Sequence, residues 1–96
     1  MNLETRIRRY HCGEANAIKS STLEKLYHCS GSIIRKQINE LRCNGALICS
    51  TNKGYFYASN ALEANSTIEQ LTSRIQGISA ARKGMIKALE GGDLVG

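Results

Sequence analysis

The stretch SGSIIRKQINELRCNGALICSTNKGYFYAS (Ser30–Ser59) decides the fold. Within it, Ile34, Ile38 and Leu41 recur at steps of four and three, the spacing of one buried helix face. Ser30 is placed to cap that helix at its start, and Asn44-Gly45 can close it, because both residues tolerate the left-handed conformation used past a helix end. The other side of the helix carries Ser32, Ile33, Arg35, Lys36, Gln37, Asn39 and Arg42. This mixture of cations and amides can reach phosphates and base edges. Two short runs follow, Ala46–Ser50 and Tyr55–Ala58, rich in branched and aromatic residues and separated by the turn-forming TNKG. They predict a hairpin with Lys53 near its tip.

Working back toward the start, Leu3, Ile7 and Tyr10 lie at steps of four and three and predict a short helix with Arg6, Arg8 and Arg9 outside, ended by Gly13. ANAIKSS offers a short extended piece. Ser21 and Glu24 then form a candidate capping box for a brief second helix that turns Leu23, Leu26 and Tyr27 inward. HCSGS stops it with residues that favour caps and turns.

At LYHCSGSIIRKQINELRCNGALICSTNKGYFYAS the chain resembles the winged helix-turn-helix family. The bacterial form of that family carries S..IIR..I..LR..G..I.S...GY across its recognition helix and wing. The likeness covers about half of the chain closely, and more when the first helix is included. It implies an α+β, mainly helical fold of three helices and a β-hairpin wing, with the third helix entering the major groove and the wing touching the flanking DNA. Carried over by position, Ser32, Arg35, Lys36, Gln37 and Asn39 fall on the groove side and Lys53 on the wing. The resemblance also implies double-stranded DNA as partner and no enzymatic activity.

The tripeptide Tyr-His-Cys occurs at Tyr10–Cys12 and again at Tyr27–Cys29, which raises the question of a metal site. Structural zinc uses close ligand pairs, whereas these four cysteines stand far apart along the chain. The repeat therefore reads as two helix ends, where histidine also suits the negative end of the helix dipole. Cys29 is expected to pack as a small apolar residue. No metal or other cofactor is expected. No nucleophile with a neighbouring base, phosphate loop or dinucleotide fingerprint stands out, so catalysis is not expected either.

From Leu62 to Leu89, Ile68, Leu71, Ile75, Ile78, Met85 and Leu89 fall at helical steps, interrupted where Arg82 takes an apolar place. This predicts a long C-terminal amphipathic helix of about 40 Å, begun by Asn60 with Glu63 or by Ser66 with Glu69. Gly77, Ala81, Gly84 and Ala88 form a second row beside the apolar one. Each interior glycine costs roughly 1 kcal/mol of helix propensity, which close approach to another helix would offset. Packing on the first helix of the same domain is one use of the apolar stripe. Homodimerisation through Ile68, Leu71, Ile75, Ile78, Met85 and Leu89 is the other, and the length of the seam favours it. LTSRIQGISAARKGMIKAL is also similar to helical tails of small winged-helix proteins encoded by phages and prophages.

The division expected is a winged helix-turn-helix domain over 1–59, an amphipathic dimerisation helix over 60–90, and a flexible tail over 91–96. A chain of 96 residues with 42% hydrophobic and 22% charged residues supports one folded core. Its formal charge of +5 draws it toward phosphate. No run is apolar enough to span a membrane and the first residues do not read as a signal peptide, so the expectation is a cytoplasmic protein with reduced cysteines. The functions this allows are a homodimeric DNA-binding regulator or phage accessory factor, and alternatively a module that recruits a larger replication, packaging or transcription complex through its last helix.

Overall fold

The computed structural model describes residues 1–92 and is α+β, mainly helical. Residues 93–96, and with them most of the expected tail, lie outside the described residues; Gly91 and Gly92 form a turn after the last helix. The order is α1 (Leu3–Tyr10), a 3-10 turn (Glu14–Asn16), α2 (Ser20–Tyr27), α3 (Gly31–Cys43), β1 (Ile48–Thr51), β2 (Gly54–Tyr57) and α4 (Ala61–Glu90).

α1 begins at Asn2, whose side-chain oxygen accepts from the Thr5 amide at 2.8 Å. Leu3 and Ile7 are buried beneath it. Tyr10 is exposed, contrary to the expected inward triplet: two turns suffice to cross the core, and the third apolar position lies past its edge. Leu26 is likewise exposed. Tyr27 takes the neighbouring slot instead, packing on the core while its hydroxyl donates to the Met1 carbonyl and accepts from Arg6 Nε at 3.1 Å.

α2 starts two residues earlier than a box at Ser21 and Glu24 would place it. Lys19 stands at the cap position without a side-chain capping bond, and Ser20 Oγ donates to Glu24 at 3.4 Å. A long-range contact sets this boundary. Ile18 exchanges both backbone hydrogen bonds with Tyr55 of β2, at 2.9 and 2.8 Å, which holds the chain extended until the helix begins. His28 ends α2 in the left-handed conformation (φ 51°), and His11 stands at the end of α1. The two Tyr-His-Cys copies are thus two helix ends.

α3 follows the sequence pattern closely. Ser30 Oγ accepts from the Ile33 amide at 3.4 Å, and Ile34 and Ile38 are buried with Leu41 half-buried beside them. At its far end Gly45 adopts φ 95°, its N–H donates to the Arg42 carbonyl, and the Ala46 N–H donates to the Leu41 carbonyl. That pair of bonds is a Schellman closure. It consumes Ala46 and Leu47, so β1 starts at Ile48 rather than at the expected Ala46.

The hairpin is also tighter than TNKG suggests. Thr51 pairs with Gly54, leaving Asn52 and Lys53 as a two-residue tip. Gly54 carries φ 124°, which neither tip residue has to adopt. β2 bonds on both edges: to β1 on one side, and on the other to Ile18 and, through Tyr57, to His11 and Gly13. These bonds tie the hairpin to the segment between α1 and α2. Leu3, Ile7, Ile18, Leu23, Ile34, Ile38, Ala46 and Ile48 form the single core cluster.

α4 begins at Asn60, whose side chain accepts from the Glu63 amide at 2.9 Å. The Glu63 carboxylate does not return to Asn60. It accepts from Ser59 N at 2.8 Å, Ser59 Oγ at 2.7 Å and Glu14 N at 3.0 Å, joining the first turn of α4 to the 3-10 turn. These donors, the Ser59 hydroxyl first, hold its carboxyl below the ordinary carboxylate range. Because the folded value is depressed, the bonds contribute stability above the unfolded carboxyl value of about 4.3, and that stability is lost as pH falls through the folded value. Thermal melts of wild type and Glu63→Gln are expected to differ at pH 7 and to converge as pH falls below the depressed carboxyl value. A difference that persists at low pH would contradict this role.

Thr67 is the buried residue of α4, and its hydroxyl accepts from the Ser50 amide at 3.4 Å. The helix packs on β1, not on α1. After Leu71 nearly every residue of it is exposed, and the molecule reaches 55 Å along its longest axis.

Candidate nucleic-acid interface

Ser32, Arg35, Lys36, Gln37 and Asn39 are all exposed on α3, and Lys53 is exposed at the hairpin tip. At about 100° per residue the five do not share one face. Ser32, Lys36 and Asn39 lie opposite the core residues, with Arg35 beside Asn39 on the flank toward the hairpin. Gln37 lies on the other flank with Ile33, roughly 160° around the helix from Asn39. The Arg35 guanidinium donates to Ser32 Oγ at 3.2 Å, which holds its side chain along the first turn.

The hairpin flank of α3 opens into a groove of about 650 Å³ that α3, the hairpin, the start of α2 and the part of α4 around Leu71 line together. Arg35, Asn39 and Arg42 line it from α3, and Arg74 and Gln70 from α4. Lys19 lines it too, its ammonium donating to the Asn52 carbonyl at 2.8 Å. No aspartate or glutamate is among the lining residues. The groove is therefore cationic and lined by polar donors, which suits an anionic ligand.

Arg42 is the half-buried member. Its Nε–H donates to the Ile48 carbonyl at 2.7 Å and Nη2–H to Ser50 Oγ at 3.2 Å, so β1 fixes the plane of the guanidinium. Burial pushes its pKa down, Tyr55 and Cys49 act against that, and Arg74 adds to it. It remains charged, since arginine does not lose its proton in proteins. Ion pairs among the described residues are confined to Arg8–Glu4 at 3.5 Å and Lys53–Glu14 at 3.9 Å. Both are solvent-exposed and worth little.

Arg42 was readable as part of the polar side of α3, but its position at i+7 from Arg35 and i+3 from Asn39 is what aims it into the groove. Nothing local marks Arg74 or Lys19. Their place depends on how α4 and the Ile18 segment dock.

The apolar row of α4 is presented, not packed. Ile68, Ile75, Ile78, Met85 and Leu89 are between 53% and 75% exposed, and Leu71 is half-buried at the base of the helix. Gly77 and Gly84 face open space.

The cysteines do not converge. Cys12 and Cys43 are exposed, Cys29 is half-buried against the core as expected, and Cys49 is buried. Burial pushes the Cys49 thiol pKa up, and its S–H points to the Glu63 carbonyl at 3.5 Å. Among the described residues no group of three histidine, cysteine or acidic side chains could hold a metal ion. No helix among them is long and apolar enough to cross a membrane.

Comparison with known protein families, curated proteins and solved structures finds no match to this chain.

Proposed function

We propose that this chain is a non-enzymatic, double-stranded DNA-binding protein of the winged helix-turn-helix type, a cytoplasmic regulator or phage accessory factor that acts as a homodimer through α4. The observation that carries the reading is the exposed polar and cationic surface of α3 beside a basic-tipped hairpin, with the cationic groove between them. The order of elements supports it: helix, a short strand-like segment paired to β2, two helices joined by a tight turn, and then the hairpin.

In this reading α3 enters the major groove. Arg35 and Lys36 contact phosphates or guanine edges, Asn39 and Gln37 are the amides able to read adenine, Ser32 meets a phosphate near the helix start, and Lys53 touches the flanking backbone. The exposed row on α4 supplies the dimer seam. Arg82 breaks that row, which disfavours a plain parallel zipper and suits an antiparallel pair or a shared bundle, with an acid such as Glu90 or the partner's Glu69 within reach of the guanidinium.

The double variant Arg35→Ala, Lys36→Ala tests the assignment. It removes two cations from exposed positions, so its fold should persist. Affinity for duplex DNA is expected to fall at least about tenfold at low salt, and the slope of log K against log[salt] by about 0.9 for each phosphate that is no longer neutralised. Unchanged affinity and slope would show that α3 does not face DNA.

A second reading draws on Ile33, which is 47% exposed on the Gln37 flank of α3. A branched apolar residue there fits a protein partner as well as a thymine methyl. In that case the domain is a scaffold and α4 recruits a larger complex.

A further inference from the structure

Arg42 and Arg74 are the part of the basic groove that the α3 reading does not use. Arg42 has been drawn into half-burial without a carboxylate. It spends two of its N–H donors on β1, one on the Ile48 carbonyl and one on Ser50 Oγ. A guanidinium has five, so three remain for a ligand. Arg74 lines the same groove from α4, and its positive charge adds to the unfavourable surroundings of Arg42. Half-burying a guanidinium in a groove that holds a second cation is unfavourable unless an anion offsets it. No carboxylate lining the groove does so.

We infer that this groove holds a backbone phosphate of the bound duplex between Arg42 and Arg74, which makes the side of α4 around Gln70 and Arg74 part of the DNA surface. The inference rests on the DNA-binding reading above and deepens it. The Ile48 carbonyl and Ser50 hydroxyl keep the Arg42 fork in one orientation, so the phosphate meets two N–H groups already aligned. Gln70 lines the same groove and offers an amide donor to a remaining oxygen. The contact is to phosphate alone and carries no base information. Its effect falls equally on all sequences, and it locks the angle between the long helix and the DNA, so a dimer seam farther along α4 sets the spacing of two half-sites.

Arg74→Gln is the informative variant, because Arg74 is exposed and makes no hydrogen bond or ion pair among the described residues. Lys83→Gln is its control: the same loss of charge on the same helix, about 180° around it and outside the groove. Binding to a random-sequence duplex is read by fluorescence anisotropy across a salt series. Arg74→Gln is expected to weaken binding about 3- to 10-fold and lower the salt slope by about 0.9, while Lys83→Gln leaves both as in wild type. Equal losses in the two variants, or none in Arg74→Gln while wild type binds DNA steeply, overturn the groove assignment and leave the α3 reading standing. The second of these results is also what an acidic protein segment in the groove would produce. If wild type itself does not bind DNA, the DNA reading fails and the groove assignment falls with it.

Discussion

Gly54→Ala is expected to destabilise the protein by about 3 kcal/mol or more, enough to lower the melting temperature by roughly 15 °C in a domain of this size. Two independent costs combine. Gly54 sits at φ 124°, where a side chain is strained whatever space surrounds it. A β-carbon there would also stand 2.3 Å from the Ile18 carbonyl oxygen and 2.9 Å from the Lys19 amide nitrogen. Neither clash can be relieved by turning a side chain, because both atoms are backbone. Relief would require the Ile18 segment to leave β2, giving up the paired bonds to Tyr55 that hold the hairpin on the domain. Thermal unfolding followed by circular dichroism checks this. A melting temperature within a few degrees of wild type would mean that the Ile18–Tyr55 pairing is dispensable.

The second large effect concerns function. A chain ended at Leu71 keeps the Asn60 cap, the Glu63 bonds and the Thr67 bond to β1, so its domain should remain folded. It lacks Ile75, Ile78, Met85 and Leu89, and of the exposed apolar row keeps Ile68 alone. On the homodimer reading the full chain sediments as a dimer at micromolar concentration and the shortened chain as a monomer. Affinity for a duplex carrying two half-sites is then expected to drop by about 10²- to 10⁴-fold, because binding at the second half-site no longer benefits from binding at the first. Affinity for a single half-site should change far less. A full-length chain that sediments as a monomer would remove the dimer from the account. Equal affinity of the two chains for the paired site would remove its role in binding.

Where local rules govern, residues and structure agree. The 3.6-residue period of Ile34, Ile38 and Leu41, the serine before them and the Asn-Gly after them define α3 without reference to any other part of the chain. α4 is equally plain as a helix, and of its two candidate starts, Asn60 and Ser66, the chain uses Asn60. The misplacements arise where distant segments intervene. The Ile18–Tyr55 pairing advances α2 past the Ser21 box, the Schellman closure at Gly45 delays β1, and the limited breadth of the core leaves Tyr10 and Leu26 outside. Periodicity tells which residues share a face but not how far the core beneath that face extends. The candidate site divides along the same line. Arg35 and Asn39 could be read from α3, and Arg42 from its spacing to them. Arg74 joins them only through the docking of α4 on β1, which has no local signal.

The most direct test is the affinity of the purified full-length protein for random-sequence duplex DNA, measured by fluorescence anisotropy between about 50 and 200 mM salt. Submicromolar binding at low salt, falling steeply as salt rises, is the predicted result, because on the DNA-binding reading α3, the hairpin tip and the groove together neutralise several phosphates. No detectable binding at about 50 mM salt would contradict the account, since a surface built to meet the DNA backbone shows its affinity there first.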